Sequence, residues 1–384
     1  MDERLARAQQ AVREAGLDGW LLYDFQGKNP IFWQLVGEPR HVTRRLYLLV
    51  PREGEPRVLC HRIDASAMAS FGLARTEYLT WQELDAELPR FLGGARRLAM
   101  DWAPSCVLPV VSRVDAGTFE LVRSMGIEVS SSADLIQAAV ARWSSGDLRD
   151  HISASGKLFD SLDAVLGTIG NGATEYGIQQ RLMEEFARRG LTTEDPLIVA
   201  VNAHASDPHY APTASRDAPI RPGDWLLIDL WAREDRPGTV YVDSTWVSYL
   251  GERAPAEHQK VFDVVKRARE AAVARIRDGF ARGQPVEGWQ VDRAARAVVE
   301  AAGYGAYFNH RTGHSLGQQV HGPGVNLDDY ETHDTRRLIP GVTVTVEPGI
   351  YLPEFGVRSE INVHVDETGP RVTTREQQEI TLIV

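Results

Sequence analysis

The sequence has few cysteines, no excess of basic residues and no long uninterrupted apolar run. Its two cysteines, Cys60 and Cys106, form no Cys-x-x-Cys motif, which argues against a disulfide scaffold and favours a reduced, cytoplasmic protein. Acidic residues outnumber basic ones by 53 to 42, and no basic cluster offers a nucleic-acid surface. No stretch reaches the ~18 apolar residues of a transmembrane helix, and no signal peptide is expected. We therefore expect no membrane partner and no nucleic-acid partner.

The chain has an ordinary globular composition, and its sequence pattern predicts two domains. The 384 residues are 43% apolar and 25% charged, which permits an ample core. Residues 1–143 are typical of a smaller N-terminal α/β domain. This domain has no phosphate-binding glycine loop and no histidine or acid cluster, so we expect a scaffold. A polar break then leads into a second domain, residues 144–384.

Periodicity predicts an α+β protein. In the N-terminal domain it predicts a helix over 5–15 and strands over 19–24, 46–50, 56–60, 98–101 and 126–129. In the C-terminal domain it predicts helices over 152–166, 174–189, 255–280 and 291–302, and strands over 197–201, 225–231 and 239–247.

Two strongly alternating segments follow near the C-terminus, at 342–351 and 356–363. Valines and isoleucine occupy one face of the pair, and turn residues between the segments favour a hairpin. Glu347, Arg358 and Glu360 then converge on the opposite face. A solvated sheet face is the ordinary explanation of such alternation. A buried ionic site is the other.

Acids inside apolar strands favour the buried site. Asp229 follows three large apolar residues in a strand, and Asp243 lies in the next strand. A buried aspartate normally requires a cation or several hydrogen bonds. Each residue alone has a structural explanation, as a hydrogen-bonded strand acid or a satisfied loop histidine. Taken together, four carboxylates and one imidazole suit two divalent ions, with manganese, cobalt or zinc as candidates. This candidate set is Asp229, Asp243, His314, Glu347 and Glu360.

The order of these residues resembles the pita-bread metallopeptidases, which include prolidase, aminopeptidase P and methionine aminopeptidase. The matching motifs are an aspartate in each of two successive strands, Gly313-His-Ser-Leu-Gly317, Val346-Glu-Pro-Gly-Ile-Tyr351 and Gly356-Val-Arg-Ser-Glu360. The resemblance implies a C-terminal pita-bread fold, an antiparallel sheet covered by helices. The N-terminal half is similar to the creatinase-type N-terminal domain, which favours prolidase or aminopeptidase P.

The resemblance also implies the roles of the metal ligands. Asp229 would bind one ion through both oxygens, and Asp243 and Glu360 would bridge the two ions. His314 and Glu347 would complete the two coordination shells, with Glu347 also accepting a proton. Manganese is the first candidate, and zinc and cobalt are alternatives.

Four further residues receive roles from the same resemblance. His209 would contact the scissile region, and His321 would hydrogen-bond the substrate carbonyl or the tetrahedral intermediate. His310 would line the substrate pocket, and Arg358 would support the carboxylates. Surface histidines are the alternative explanation for the three imidazoles.

The implied function is a dinuclear exopeptidase that cleaves after the N-terminal residue of a small peptide. Xaa-Pro dipeptides are the first substrate class. The alternatives are an Xaa-Pro aminopeptidase acting on longer peptides, a dipeptidase with another preference, and an inert binding relative. The family's non-metal relative, creatinase, is disfavoured because all five ligand positions are filled. The resemblance also implies a homodimer.

Two departures from the family pattern accompany these matches. The connection between Asp229 and Asp243 is longer than the usual hairpin, which predicts a longer turn with both acids still on one face. Gly322 follows His321 where the family usually has an acid. The second departure lies beside the predicted substrate groove and bears on proline specificity.

Overall fold

The computed structural model describes residues 3–170 and 172–384, and the chain forms two compact units, Met1–Arg142 and Trp143–Val384. Within the described residues, no helix combines the length and apolarity needed to cross a membrane. The mixture of helices with mainly antiparallel sheets agrees with the predicted α+β class.

The N-terminal unit contains a six-stranded sheet in the order β4-β3-β2-β1-β5-β6. Its strands are β1 Gly19–Phe25, β2 Arg45–Pro51, β3 Arg57–His61, β4 Ala74–Tyr78, β5 Arg97–Met100 and β6 Glu128–Ser131. Its helices are α1 Glu3–Glu14, α2 Pro30–Val36, α3 Ala65–Ala69, α4 Trp81–Leu92, α5 Ala116–Ser124 and α6 Ala133–Ile136. Successive β1 residues alternate between two apolar clusters: Trp20 and Leu22 pack in one, and Leu21 and Tyr23 in the other. Both faces of this sheet are therefore covered.

The C-terminal unit contains one five-stranded sheet, one three-stranded sheet and a two-stranded ribbon among the described residues. Its strands are β7 Leu191–Thr192, β8 Ile198–Val201, β9 Trp225–Glu234, β10 Val242–Leu250, β11 Thr343–Val346, β12 Gly349–Tyr351, β13 Gly356–Arg358, β14 Ile361–Asp366, β15 Gly369–Val372 and β16 Thr381–Ile383. Its helices are α7 Ser145–Leu166, α8 Glu175–Arg188, α9 Ala256–Ala281 and α10 Gly288–Ala301.

Helices α7 and α8 begin where side chains satisfy the free backbone N–H groups. Ser144 and Asp147 form a reciprocal capping box at α7, and the Thr174 hydroxyl accepts from Gly177 N at α8. The apolar faces of both helices share one buried cluster with Leu226, Ile228 and Leu230 of β9. Because side chains alternate along a strand, Asp229 points to the opposite face of the sheet.

The two alternating C-terminal segments pair antiparallel, as predicted, and divide into two ladders. β11 pairs with β14, where Thr345 lies opposite Asn362, and β12 pairs with β13, where Gly349 lies opposite Arg358. The polar face of this pair is buried, with Thr345 and Asn362 each 0% exposed. The solvated-face explanation is therefore wrong, and the polar face lines an interior site.

Candidate metal centre

Strands β9 and β10 place the two aspartates on one face. Asp229 lies opposite Thr245, and Trp231 lies opposite Asp243 in the antiparallel register. Residues two apart share a face, so both acids point to the same side despite the long connection, which confirms that prediction. Both aspartates are buried.

His314 is brought to the same place by a close backbone approach. A Cβ at Gly313 would lie only 2.0 Å from the carbonyl oxygen of Thr345, so no other residue fits there without moving β11. Thr345 then holds His314 twice: its hydroxyl accepts from His314 N at 2.9 Å, and its N–H donates to His314 O at 2.8 Å. The same hydroxyl donates to Glu347 Oε1 at 3.0 Å.

The predicted ligands form one cluster. Ligand atoms of Asp243, His314 and Glu360 all lie within 4.8 Å of one another. Glu347 joins through His314, whose Nε2 lies 3.3 Å from Glu347 Oε1 and 3.5 Å from Asp243 Oδ2. The structure thus brings together four of the five candidates by direct proximity.

Asp229, the fifth candidate, is joined to the cluster through Thr245 and Arg358. Thr245 Oγ1 lies 3.1 Å from Asp229 Oδ1 and 2.8 Å from Glu360 Oε2. Arg358 forms a buried ion pair with Asp229 Oδ2 and donates from Nε to Thr245 Oγ1 at 2.8 Å. Arg358 therefore lies among the carboxylates, where it was predicted, and offsets part of their charge.

Crowding of acids in this interior raises their pKa values. Burial, followed by the charges of Asp229 and Glu347, raises the pKa of Asp243 well above its usual range. Burial and then the charge of Asp243 do the same to the pKa of Glu360. Burial raises the pKa of Glu347 to about 7. Without further positive charge, this cluster therefore retains protons that ordinary carboxyl groups lose.

Unpartnered oxygens show that the cluster fits divalent cations. Asp243 Oδ1 and Glu360 Oε1 are buried and have no hydrogen-bond partner among the described residues. Buried carboxylate oxygens are normally satisfied, so two orphans beside an imidazole are unusual. Four carboxylates and one nitrogen are ligands that manganese, cobalt and zinc accept. The chemistry and placement of the residues therefore match a divalent-metal site, and the individual ligand roles stay predictions.

Two predicted histidines lie beside the cluster. The ring of His321 contacts that of His314 edge-on, with centroids 4.3 Å apart. Its side chain keeps an exposed surface, yet surrounding protein atoms, then Arg311 and His209, lower its pKa to about 4. His209 is exposed and near enough for its charge to act on His321. The His321 ring therefore borders the cluster, and Pro208 O, one residue before His209, accepts from Arg358 Nη1 at 3.5 Å, which brings the His209 segment close to it. The catalytic roles of both histidines stay predictions.

His310 is fixed by hydrogen bonds on both ring nitrogens. Nδ1 lies 2.7 Å from Arg311 O, and Nε2 lies 2.8 Å from the Tyr351 hydroxyl, which also accepts from Arg358 Nη1 at 3.0 Å. A carbonyl only accepts, so Nδ1 carries the proton and Nε2 accepts from Tyr351. Burial, followed by Arg358, lowers the pKa of His310 to about 3, which keeps the ring neutral. His310 therefore links its loop to Arg358.

The loop that carries His209 is held by a buried acid, Glu175, at the start of α8. Glu175 Oε1 accepts from Val201 N at 2.7 Å and lies 2.8 Å from His204 Nδ1. Glu175 Oε2 accepts from the Tyr210 hydroxyl at 2.6 Å. One carboxylate therefore fixes the loop at three points, two before His209 and one directly after it.

Two residues of this site, Thr245 and Glu175, were not predicted from the sequence. The structure also gives a reason for the glycine at position 322. Thr245 was detectable, because it lies two residues after Asp243 on the same strand face. Glu175 gave no signal, since an acid in the first turn of a helix is commonplace. At Gly322, a Cβ would lie 3.0 Å from Ser315 Oγ. A larger residue there would require that hydroxyl to move.

Comparison with known proteins agrees with this geometry. The model of metallopeptidase family M24 matches residues 149–367, more than half of the chain. A Mycobacterium tuberculosis protein described as a probable dipeptidase PepE is 28% identical over 372 residues, spanning 95% of this chain and 92% of the relative.

Solved structures show the same fold. Dipeptidase PepE from Mycobacterium ulcerans aligns with a TM-score of 0.79 and 25% identity, covering 99% of this chain and 97% of that one. An Xaa-Pro dipeptidase from Bacillus anthracis aligns with a TM-score of 0.71 over 99% of both chains, at 20% identity. The predicted pita-bread fold is therefore confirmed. The protein is a metallopeptidase, and its chain belongs to metallopeptidase family M24.

Proposed function

We propose that the protein is a dinuclear metal-dependent exopeptidase that hydrolyses dipeptides after the N-terminal residue, with Xaa-Pro dipeptides as the first substrate class. The observation that carries the proposal is the pair of buried, unpartnered oxygens, Asp243 Oδ1 and Glu360 Oε1, beside the imidazole of His314. Such a cluster is costly unless cations occupy it.

The five clustered residues would hold two divalent ions. Manganese is our first choice because oxygen ligands dominate the set, and zinc or cobalt are the alternatives. When bound, the ions would acidify a water molecule and polarise the scissile carbonyl. Thr245 and Thr345 would orient the carboxylates through the hydrogen bonds described above.

The remaining roles fall to protein side chains. Glu347, whose Oε1 lies 3.3 Å from His314 Nε2 in the cluster, would accept a proton during attack on the peptide bond. His321 would donate a hydrogen bond to the oxygen that gains negative charge in the transition state. His209 would contact the scissile region from the facing loop. Arg358 would limit the negative charge of the cluster without contacting substrate.

Dipeptides are favoured over longer peptides by the relatives. The PepE proteins are described as dipeptidases, and the more distant Bacillus anthracis protein as an Xaa-Pro dipeptidase. The alternatives are a dipeptidase without proline preference and an Xaa-Pro aminopeptidase acting on longer peptides. We further propose a cytoplasmic homodimer that acts on free peptides, and sedimentation analysis would measure its mass.

The test combines metal analysis with a substrate panel. Protein purified without chelator should contain about two divalent ions per chain, and chelation should remove both metal and activity. Xaa-Pro dipeptides, Xaa-Pro tripeptides and non-proline dipeptides should be compared with manganese, cobalt and zinc. Preferred turnover of Xaa-Pro dipeptides supports the proposal, and a tripeptide or non-proline preference selects an alternative. Metal without peptide turnover would indicate an inert binding protein.

A further inference from the structure

Helix α10 carries a charged pair on its buried face. Asp292 and Arg296 lie one helical turn apart and are 0% and 5% exposed, next to the buried side chains of Val291, Ala295 and Val299. Arg296 Nε donates to Asp292 Oδ2 at 3.0 Å, and Nη2 donates to Oδ1 at 3.1 Å. A buried ion pair is weak evidence for stability, because apolar residues of similar volume often replace one without loss. The pair therefore calls for an explanation beyond the stability of α10.

Arg296 fixes two carbonyl groups of the loop that follows α10. Its Nη1 donates to Phe308 O at 2.9 Å, and its Nη2 donates to His310 O at 2.8 Å. The guanidinium also lies over the rings of Phe308 and Tyr330, with its central carbon 4.1 Å and 4.4 Å from their centroids. These contacts hold the planar fork in one orientation. The loop backbone on both sides of Asn309 is therefore tied to the helix.

Asp292 holds the same loop two residues further on. Its Oδ1 accepts from Thr312 N at 2.9 Å and from Thr312 Oγ1 at 2.6 Å. Thr312 is 0% exposed, and only Gly313 separates it from the candidate ligand His314. A displacement of Thr312 would therefore move the start of the segment that carries the imidazole.

Thr312 also holds the backbone of Glu347, a second candidate ligand. Glu347 lies between the two C-terminal ladders, because β11 ends at Val346 and β12 begins at Gly349. At this point Thr312 O accepts from Glu347 N at 2.8 Å. One residue of the loop therefore connects the carboxylate of Asp292 to the position of Glu347.

We propose that Asp292 and Arg296 are positioning residues that set the distance between Glu347 and His314 in the metal centre. The inference rests on the proposed metal-dependent function and adds two residues of α10 to it. Asp292 holds the N–H and the hydroxyl of Thr312, whose carbonyl holds Glu347. The two α10 residues act through the loop backbone, so neither would touch a metal ion or the substrate.

The proposal predicts that metal binding is more sensitive to the pair than the fold is. Glu347 Oε1 lies 3.3 Å from His314 Nε2, and a metal site requires its ligands to be held within about 0.5 Å of the productive geometry. Loosening the loop would spread the two ligands over several positions. In the metal-free protein, the same loosening would let the Glu347 amide exchange faster with solvent, because its hydrogen bond to Thr312 O would open more often.

The decisive experiment compares manganese affinity with thermal stability in Asp292→Asn and Thr312→Val. Asp292→Asn leaves one oxygen where two served Thr312 and Arg296, so one of these groups loses its acceptor. We expect the manganese affinity of the chelator-treated protein to fall on the order of 10-fold, the lower end of the range for lost supporting contacts. The Glu347 amide should also exchange faster. Thr312→Val keeps the N–H and the branched shape but removes the hydroxyl, so it should cause a smaller loss of affinity that Thr312→Ser restores.

The matched control is Asp101→Asn in the N-terminal unit, which contains none of the five candidate ligands. Asp101 is also buried, and its carboxylate accepts from Trp20 Nε1, Asn29 Nδ2 and Ser132 Oγ. The control variant should lower thermal stability, as Asp292→Asn does, and leave manganese affinity at the wild-type value.

Lower stability with unchanged manganese affinity in Asp292→Asn would overturn the inference, as would an equal loss of affinity in Asp101→Asn. If Asp292→Asn does not fold, the comparison of Thr312→Val with Thr312→Ser decides, and equal affinities in these two variants overturn the inference. A wild type that binds divalent ions but cleaves no peptide would refute the proposed function alone, and the affinity comparison would still decide the role of the pair. A wild type that binds no divalent ion would refute both.

Discussion

The hydroxyl of Thr245 lies 2.8 Å from Glu360 Oε2 inside the carboxylate cluster. Thr245 Oγ1 also accepts from Arg358 Nε and lies 3.1 Å from Asp229 Oδ1. A hydroxyl carries one proton, so it donates to one carboxylate at a time. In the absence of cations, the second contact requires a proton on the carboxyl group itself, which agrees with the raised pKa of Glu360, caused first by burial.

Removing this hydroxyl should weaken metal binding without unfolding the protein. Thr245→Val keeps the branched shape in β10 but leaves Glu360 and Asp229 without a shared orienting group. We expect metal affinity to fall by about 10- to 100-fold, the range seen when such supporting contacts are lost. Titration of chelator-treated protein with manganese measures the change. Thr245→Ser restores the hydroxyl and should restore most of the affinity, and equal behaviour of both variants would contradict the role.

Replacing a predicted ligand should abolish hydrolysis while the fold persists. Asp243→Asn and Glu347→Ala each remove a carboxylate that the structure places at the cluster. We expect turnover to fall at least about 10²-fold, because no remaining side chain occupies the same position. Circular dichroism should be unchanged, since removing one charge relieves repulsion in the metal-free cluster. Wild-type turnover in either variant would show that the ligand assignment is wrong.

The stability of the metal-free protein should fall as pH rises through the range set by Glu347. Burial raises its pKa to about 7 from an ordinary 4.5, so the folded protein holds a proton that the unfolded chain has released. This contribution is full below about pH 4.5 and is lost as pH approaches about 7.

Buried histidines act in the opposite direction, because burial lowers the pKa of His151 to about 4 and of His310 to about 3. The measurement is therefore the difference between wild type and Glu347→Gln in thermal midpoint, from about pH 5 to pH 8 after chelation. The wild type should lose stability relative to the variant as pH rises. Saturating manganese should remove that slope, because bound ligands are already deprotonated. Parallel curves in the chelated samples would contradict the prediction.

The strands around the site were predictable because apolar residues recur along them with a period of two, which indicates the buried face. The valines of β11 and β14 show a period of two, and the apolar run before Asp229 indicates a buried acid. Strand partners that are remote in sequence left no comparable signal. β16 pairs in parallel with β10 more than 100 residues away, and its three residues are too few to show a period.

Side chains that support the site were harder to predict than the candidate ligands. Glu175 holds Val201, His204 and Tyr210 only after the loop has folded back onto α8. Arg311 lies in an irregular loop, where sequence periodicity does not predict which way a side chain points. Such contacts depend on tertiary packing, so one sequence alone carries no pattern for them.

His321→Ala should lower turnover more than substrate affinity. The ring lies beside His314 at the solvent side of the cluster, where a hydrogen-bond donor would reach the oxyanion of the proposed reaction. We expect kcat to fall on the order of 10²-fold, with a smaller change in KM. Steady-state kinetics on one dipeptide, with metal content confirmed for each sample, make the test. An unchanged kcat would reduce His321 to a packing residue.

Glu175→Gln should lower activity from a distance by disturbing the loop that carries His209. In the wild type, Val201 N donates to one oxygen of the carboxylate and the Tyr210 hydroxyl donates to the other. The glutamine amide keeps only one of these oxygens, so one of the two donors loses its acceptor. One buried group is then left unsatisfied, at a cost of about 1–3 kcal/mol. We expect kcat to fall several-fold, with metal content unchanged and slightly lower thermal stability. Tyr210→Phe removes one of the same contacts without adding a donor, so it should cause a milder loss. If Glu175→Gln lost stability but kept full kcat, the carboxylate would serve the fold alone.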